Sequence, residues 1–323
     1  MFPLRLTFWE VPMKKNVLVI SPRKIALIML GLSCIFFFLL AGCEQEPIEN
    51  SSDQTSVSSS QESGDLSSEI SSSKNSQEES YNPWEGNPVV IPEDARPDES
   101  IMEKLRQAKA SNRDVIGWLQ LPGSGVDYPV VQAKDNDYYL THNASGQTEK
   151  NGAIYAHYRN YLANAYSLPA NTTLFGHNTL MQSDPMFMEL LDFYDLSYAQ
   201  NHQYLTFTFP GGATTYWKIF AVLDTLAEDE SFYYYDPSPS SEELQHIQQE
   251  AQTRSYYDYD LDVSEQDPIL SLSTCTYKYR NWLGLARTDV RFVVMARLVR
   301  EGETLTGTSI PTENPDWIEP DLD

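Results

Sequence analysis

The sequence predicts a mainly β protein, a closed or nearly closed β-barrel with several decorating helices, preceded by an N-terminal membrane segment and a disordered stalk. Three observations carry this. Strand-like runs separated by turn residues recur through residues 98–302, the helix-like runs between them are few and short, and residues 1–97 have the composition of an anchor and a linker. Closure follows because a long antiparallel series removes its exposed edges by joining its ends.

The strands read in order. Trp118–Leu121 and Val126–Val131 flank Pro122-Gly123-Ser124-Gly125, two β-prone runs around a turn. Tyr204–Phe209 alternates tyrosine, leucine, threonine and phenylalanine, then Gly211-Gly212 turns the chain into Thr215–Leu223, which is a hairpin signature. Ile269–Thr276 and Arg291–Val299 supply two more strands, the last almost continuously apolar and so buried on at least one face. Helical spacing is confined to Ile101-Met102 with Leu105 and Ala108, to Met186–Tyr194 after Asp184-Pro185, and to Glu242–Arg254 after Ser240-Ser241.

Four domains of composition follow. Residues 1–43 hold Lys14, Lys15, Arg23 and Lys24 before a charge-free apolar run from Ile25 to Leu40, the pattern of an export signal or anchor. Met13-Lys14-Lys15 is the more ordinary start, which makes the first twelve residues an upstream extension. Leu40-Ala41-Gly42-Cys43 resembles a bacterial lipobox, which implies diacylglycerol on Cys43; the alternative is an uncleaved helix, since Ile25 to Cys43 approaches the ~20 residues that cross a bilayer. Both place the body outside the cell membrane. Residues 44–97 are rich in Ser, Glu and Gln and poor in apolar residues, a disordered stalk; 98–302 form the catalytic body, and 303–323 an acidic, proline-containing tail with no basic residue, also expected to be disordered.

A net charge of -24 argues against a nucleic-acid partner, because a polyanion would be repelled. Protein or cell wall is the expected partner. There is no Gly-rich phosphate loop and no Cys/His cluster at ligand spacing, so neither metal nor organic cofactor is implied.

Cysteine arithmetic narrows the chemistry. Cys34 lies in the apolar run and Cys43 at its end, leaving Cys275 as the one cysteine of the body, either a buried filler or a nucleophile. Alternation along Leu270-Ser271-Leu272-Ser273-Thr274-Cys275 puts its thiol on the serine face, the more polar side. Five histidines could serve it as a base. His202 and His246 fall on or beside helical stretches, His142 in a polar loop and His157 after a short apolar run, whereas His177 ends the strand-like Thr172-Thr173-Leu174-Phe175-Gly176, a rigid support at a barrel rim. Arg291 opens the last strand after the loop from Lys278 to Asp289, and could be an oxyanion donor or a rim residue paired with Asp289.

Six segments then meet a known pattern. Asp114-Val115-Ile116-Gly117-Trp118-Leu119, Tyr128-Pro129-Val130-Val131-Gln132, Asp135-Asn136-Asp137-Tyr138-Tyr139-Leu140, Tyr158-Arg159-Asn160, Thr173-Leu174-Phe175-Gly176-His177, and Leu272-Ser273-Thr274-Cys275 followed by Arg291-Phe292-Val293-Val294, resemble class B sortases in order and spacing. The resemblance covers residues 98–300 and implies the sortase barrel, a cysteine transpeptidase with Cys275 as nucleophile, His177 as general acid/base and Arg291 as oxyanion stabiliser, and substrate contacts from Asn136, Leu140 and Ser273. It implies as partners a surface-protein sorting signal and a peptidoglycan amine, with membrane lipid at the N-terminus and a monomeric body. Two departures stand out: His157 occupies a position where the family usually has aspartate, and the stretch between Cys275 and Arg291 is longer than common, which keeps Arg280 and Arg287 as substitutes. Competing readings are a secreted cysteine peptidase that uses water, and a lipid-anchored binding protein in which Cys275 is inert.

Overall fold

The computed structural model describes residues 88–96, 98–179 and 185–322. The apolar run, Cys43 and the stalk as far as residue 87 lie outside them. Eight strands form one barrel: β1 (Val115–Gln120), β2 (Asp127–Val131), β3 (Ile154–Ala156), β4 (Asn171–Phe175), β5 (Tyr204–Thr208), β6 (Thr214–Leu226), β8 (Ile269–Cys275) and β9 (Val290–Leu298). They close in the order β1-β2-β3-β4-β8-β9-β6-β5. Closure is made by β1, which pairs with β2 on one side and β5 on the other, both antiparallel. A two-stranded sheet of β7 (Tyr257–Asp258) and β10 (Thr312–Glu313) stands apart from the barrel.

Local chemistry accounts for most of these elements. The β5–β6 hairpin turns at Gly212, whose φ of 91° is a region that glycine enters without steric penalty. Helix α1 (Ile101–Ser111) lays Ile101 and Leu105 against Val115, Trp118 and Tyr139 in a satellite cluster. The helix α3 (Ser241–Arg254) starts with a capping box: Glu243 N–H donates to the Ser240 hydroxyl at 3.3 Å, and Ser240 N–H donates to Glu243 Oε2 at 2.7 Å. Between β4 and β5, Phe187–Tyr194 is a 3₁₀ helix rather than the α-helix its apolar content suggests, followed by the short α2 (Leu196–Asn201). The reason is spacing. Phe187, Leu190 and Phe193 are all buried and recur every third residue, which matches the three-residue turn.

Two pairings have no local signature in the sequence. β3 is a three-residue strand parallel to β2, and β4 runs parallel to β8 over Asn171–Phe175 against Ile269–Ser273. Parallel neighbours come from distant parts of the chain, so no hairpin turn announces them. Inside the barrel, Leu174, Leu270, Leu272, Val294 and Ala296 join Leu119, Phe207, Ile219 and Phe220 in one core. The other face of β8 is polar in sequence but not open: Ser271 and Ser273 are 0% and 1% exposed.

Both flanking segments correct the expectation of disorder where they are described. Val89 packs on the core, and the Asp94 carboxylate accepts from Leu305 N–H at 2.7 Å and Thr306 N–H at 3.0 Å. Further along, Glu303 accepts both arms of the Arg297 guanidinium, at 2.8 and 2.5 Å, and Arg297 is fully buried on β9. Composition cannot reveal this. An acidic, proline-containing segment is ordered here because its groups satisfy partners more than a hundred residues away in some cases and a buried cation in another.

That cation sets up a pH test. Burial pushes the Glu303 carboxyl up, but the Arg297 fork and the Arg300 N–H outweigh it and hold it below the ordinary value of 4.5. A lowered folded pKa contributes stability that is complete above the unfolded value and lost as pH falls through the folded one. Glu303→Gln leaves the buried guanidinium without its counter-charge and is expected to destabilise the fold by about 3–5 kcal/mol at neutral pH, and to flatten the loss of stability below about pH 4.5. Urea unfolding of both proteins at several pH values reads this; superimposable midpoints and slopes would remove the tether.

Candidate active site

Strand register assembles the rim. Cys275 is the last residue of β8 and lies directly opposite Arg291, near the start of β9, across an antiparallel pair. Directly opposed side chains share a face with Cβ atoms about 4.5–5.5 Å apart. On the other side of β8 the parallel strand β4 pairs Phe175 with Ser273, so two residues further along each strand bring His177 level with Cys275. The chain keeps to that track: Gly176 N–H donates to Ser273 O at 3.2 Å, and Asn178 Nδ2 donates to Cys275 O at 3.1 Å. His177, Cys275 and Arg291 therefore come off three adjacent strands at one edge, and all three are partly buried.

Each side chain has a defined setting. The Nε2 of His177 lies 3.0 Å from the carbonyl oxygen of Leu140. A carbonyl only accepts, so Nε2 carries the hydrogen and Nδ1 is the nitrogen able to take up and release a proton. This approach depends on Gly152, whose φ is 65° and where an added Cβ would sit 2.9 Å from Leu140 O and 3.1 Å from His177 Cδ2. Arg291 donates through Nη1 to Thr288 O at 2.8 Å, which steadies one arm of the fork while the guanidinium keeps further donors. Asp289 instead pairs with Arg287, through bonds of 3.0 and 2.6 Å, so the rim pairing considered for Arg291 is taken by its neighbour. Arg287 is further committed to Leu322 O at 2.7 Å, and Arg280 is exposed in the loop.

Aromatic rings wall the rim. Tyr155 stands 5.4 Å from Phe175, and Phe175 6.4 Å from Tyr235, centroid to centroid. Burial raises the Tyr155 phenol well above its ordinary range, and burial pushes Tyr234 up to about 12. In both, the nearby Arg291 charge opposes the rise and a Cys275 thiolate adds to it, so both rings feel the two groups together. The Tyr233-Tyr234-Tyr235 run is the sequence signal that could have announced this wall.

The substrate-contact residues fare unevenly. Ser273 is 1% exposed and its hydroxyl lies 2.8 Å from Tyr234 Oη, so it supports the floor from beneath rather than facing the rim. Asn136 Oδ1 accepts from Tyr158 N–H at 2.9 Å, tying two loops together. Leu140 meets the rim through its carbonyl, a role that a side-chain reading misses. His157, in place of the aspartate, is buried: its N–H donates to Thr173 O at 2.9 Å and its Nδ1 accepts from Arg159 N–H at 3.3 Å. Burial, then the Arg159 charge, lowers its pKa, so the turn is held by a neutral ring rather than a carboxylate.

The match to known proteins falls on this same body. A family model described as the sortase domain matches residues 119–299. The chain is 36% identical over 177 residues to sortase B of Listeria monocytogenes, covering 54% of this chain and 68% of that one. The chain belongs to the class B sortases. Its barrel superposes on Clostridium perfringens sortase B with a TM-score of 0.52 at 29% identity, over 60% of this chain and 99% of that one. A Staphylococcus aureus sortase B-substrate complex gives a TM-score of 0.52 at 27% identity, over 62% and 87%. The chain is thus a sortase transpeptidase.

Gly152→Ala tests the rim's packing. Its methyl must displace backbone carbonyl oxygens at a positive φ, which is expected to destabilise by about 1–3 kcal/mol and to loosen the His177 ring from Leu140. Denaturant unfolding and imidazole NMR shifts measure the two effects; wild-type stability with an unmoved His177 signal would show that the close approach is unimportant.

Proposed function

We propose that Cys275 is the nucleophile, His177 the general acid/base and Arg291 the oxyanion stabiliser of the transpeptidation. The observation that supports this most is register: opposed positions on β8 and β9 carry the sulfur and the guanidinium, and parallel β4 delivers the imidazole beside them. Cys275 as thiolate attacks a threonine carbonyl of the sorting signal, forming the S–C bond. Negative charge moves to the carbonyl oxygen, where Arg291 donates to it. As the tetrahedral species collapses, the C–N bond breaks and His177 as imidazolium gives its proton to the departing amine. A peptidoglycan amine then attacks the thioester, passes a proton to His177, and expels the Cys275 thiolate.

The solved substrate complex of the Staphylococcus aureus relative favours a peptide donor. The same reading has the body held at the extracytoplasmic face by residues 1–43, through lipid on Cys43 or an uncleaved helix, with the serine-rich stretch as spacer. Among the described residues no helix is long and apolar enough to cross a membrane, so any such anchor belongs to the segment before residue 88.

The test is product analysis with an Asn-Pro-type peptide, with and without triglycine. Wild type should give a ligated product that depends on the amine. Cys275→Ala should give none, and Arg291→Lys should lower kcat/KM about 10²–10³-fold, because a single ammonium does not reproduce the planar fork. Hydrolysis alone, unresponsive to triglycine, would favour a peptidase, and ligation by Cys275→Ala would dispose of the nucleophile assignment.

A further inference from the structure

The loop of residues 276–289 joins the end of β8, with Cys275, to the start of β9, with Arg291. Its root is gripped by a polar cluster away from the rim. Asp224 of β6 is 2% exposed, and its carboxylate accepts from Tyr194 Oη at 2.9 and 3.0 Å and from Tyr256 Oη at 2.5 Å. Tyr194 Oη is also 3.0 Å from the hydroxyl of Thr276, the residue after Cys275. Lys278 completes the cluster: its Nζ lies 3.5 Å from Asp224 Oδ2 and donates to Tyr256 Oη at 2.9 Å. Four rings enclose that ammonium, with centroids at 5.0 Å for Tyr194, 4.8 Å for Tyr256, 5.2 Å for Tyr279 and 5.3 Å for Trp317.

Trp317 comes from the C-terminal segment, which is fastened at successive points. Gln200 Nε2 donates to Pro311 O at 3.1 Å, β10 pairs with β7, and Asn314 Nδ2 donates to Ser255 O at 2.8 Å. Its far end meets the other side of the loop, where Arg287 donates to Leu322 O. One strap thus holds the loop near Cys275 through Lys278 and near Arg291 through Arg287. Residues 303–322 lie outside the 119–299 matched by the family model.

We propose that this strap positions the 276–289 loop for transfer, with Trp317 and Lys278 as positioning residues that act through the loop on the Cys275–Arg291 pair. The physical reason is the buried Asp224 charge. It holds Lys278 strongly only while rings exclude water from the ammonium, and Trp317 supplies the ring that the barrel lacks. The inference rests on the catalytic reading above.

The experiment uses the full chain with Trp317→Ala, Trp317→Phe and Lys278→Met. Steady-state kcat and KM are measured with an Asn-Pro-type peptide and triglycine, and the Cys275 adduct and melting midpoint report the folded fraction. Trp317→Ala and Lys278→Met should lower kcat about tenfold or more with KM changed less than about threefold, while Cys275 still labels fully and Trp317→Phe recovers most of the rate. A kcat within about twofold of wild type overturns the proposal, as does a loss that only tracks the fraction of folded, labelled protein. Activity surviving in Cys275→Ala would instead remove the catalytic reading itself, so the two failures are told apart.

Discussion

Everything at the rim depends on the register of β8 between its two neighbours. β9 runs antiparallel to it and β4 parallel, so one edge of the barrel collects the end of β8, the start of β9 and the residues just past β4. A one-residue slip in either pairing would turn a side chain through the sheet to the opposite face. The core makes that slip expensive. Leu174 and Leu272 are paired and fully buried, and shifting either would exchange them for threonine, serine or cysteine inside the barrel. Hydrophobic packing on one face therefore sets the geometry of the polar chemistry on the other.

That second face is covered as well. The β6–α3 connection lays Tyr234 over Ser273, and its backbone carbonyls at Tyr234 and Asp236 accept from the Asn171 amide at 2.7 and 2.9 Å. The cover stops short of Cys275, the first residue of the strand that is not buried. A thiol at such a boundary has low-dielectric walls on one side and access on the other, which strengthens its interaction with nearby charges without sealing it from a peptide.

Charge is distributed with similar economy. The chain is strongly acidic, yet its buried carboxylates each meet specific partners: Asp224 meets phenols and a caged ammonium, and Asp267 meets Arg300 through bonds of 2.7 and 2.5 Å. Burial still dominates at Asp224, whose pKa is raised despite those donors. Cation and carboxylate come from elements remote in sequence, which joins the flanking segments and the barrel into one cooperative unit.

Local patterns were sufficient for much of the molecule. Alternation marked β5, β6, β8 and β9, Ser240 and Glu243 announced the start of α3, and the lone cysteine on a serine face pointed to the rim. These are near-neighbour properties, which a chain expresses wherever it folds. Long-range pairing was not accessible in that way. The three-residue β3, the parallel β4–β8 contact, the Leu140 carbonyl against His177, the Arg287–Asp289 pair that leaves Arg291 to the rim, and the ordering of an acidic tail around Arg297 and Lys278 each join residues whose proximity no local spacing encodes. The amino-acid order by itself determined which strands and which reactive side chains exist; only barrel closure decided which of them meet, because burying the core on one face leaves a single register for the other.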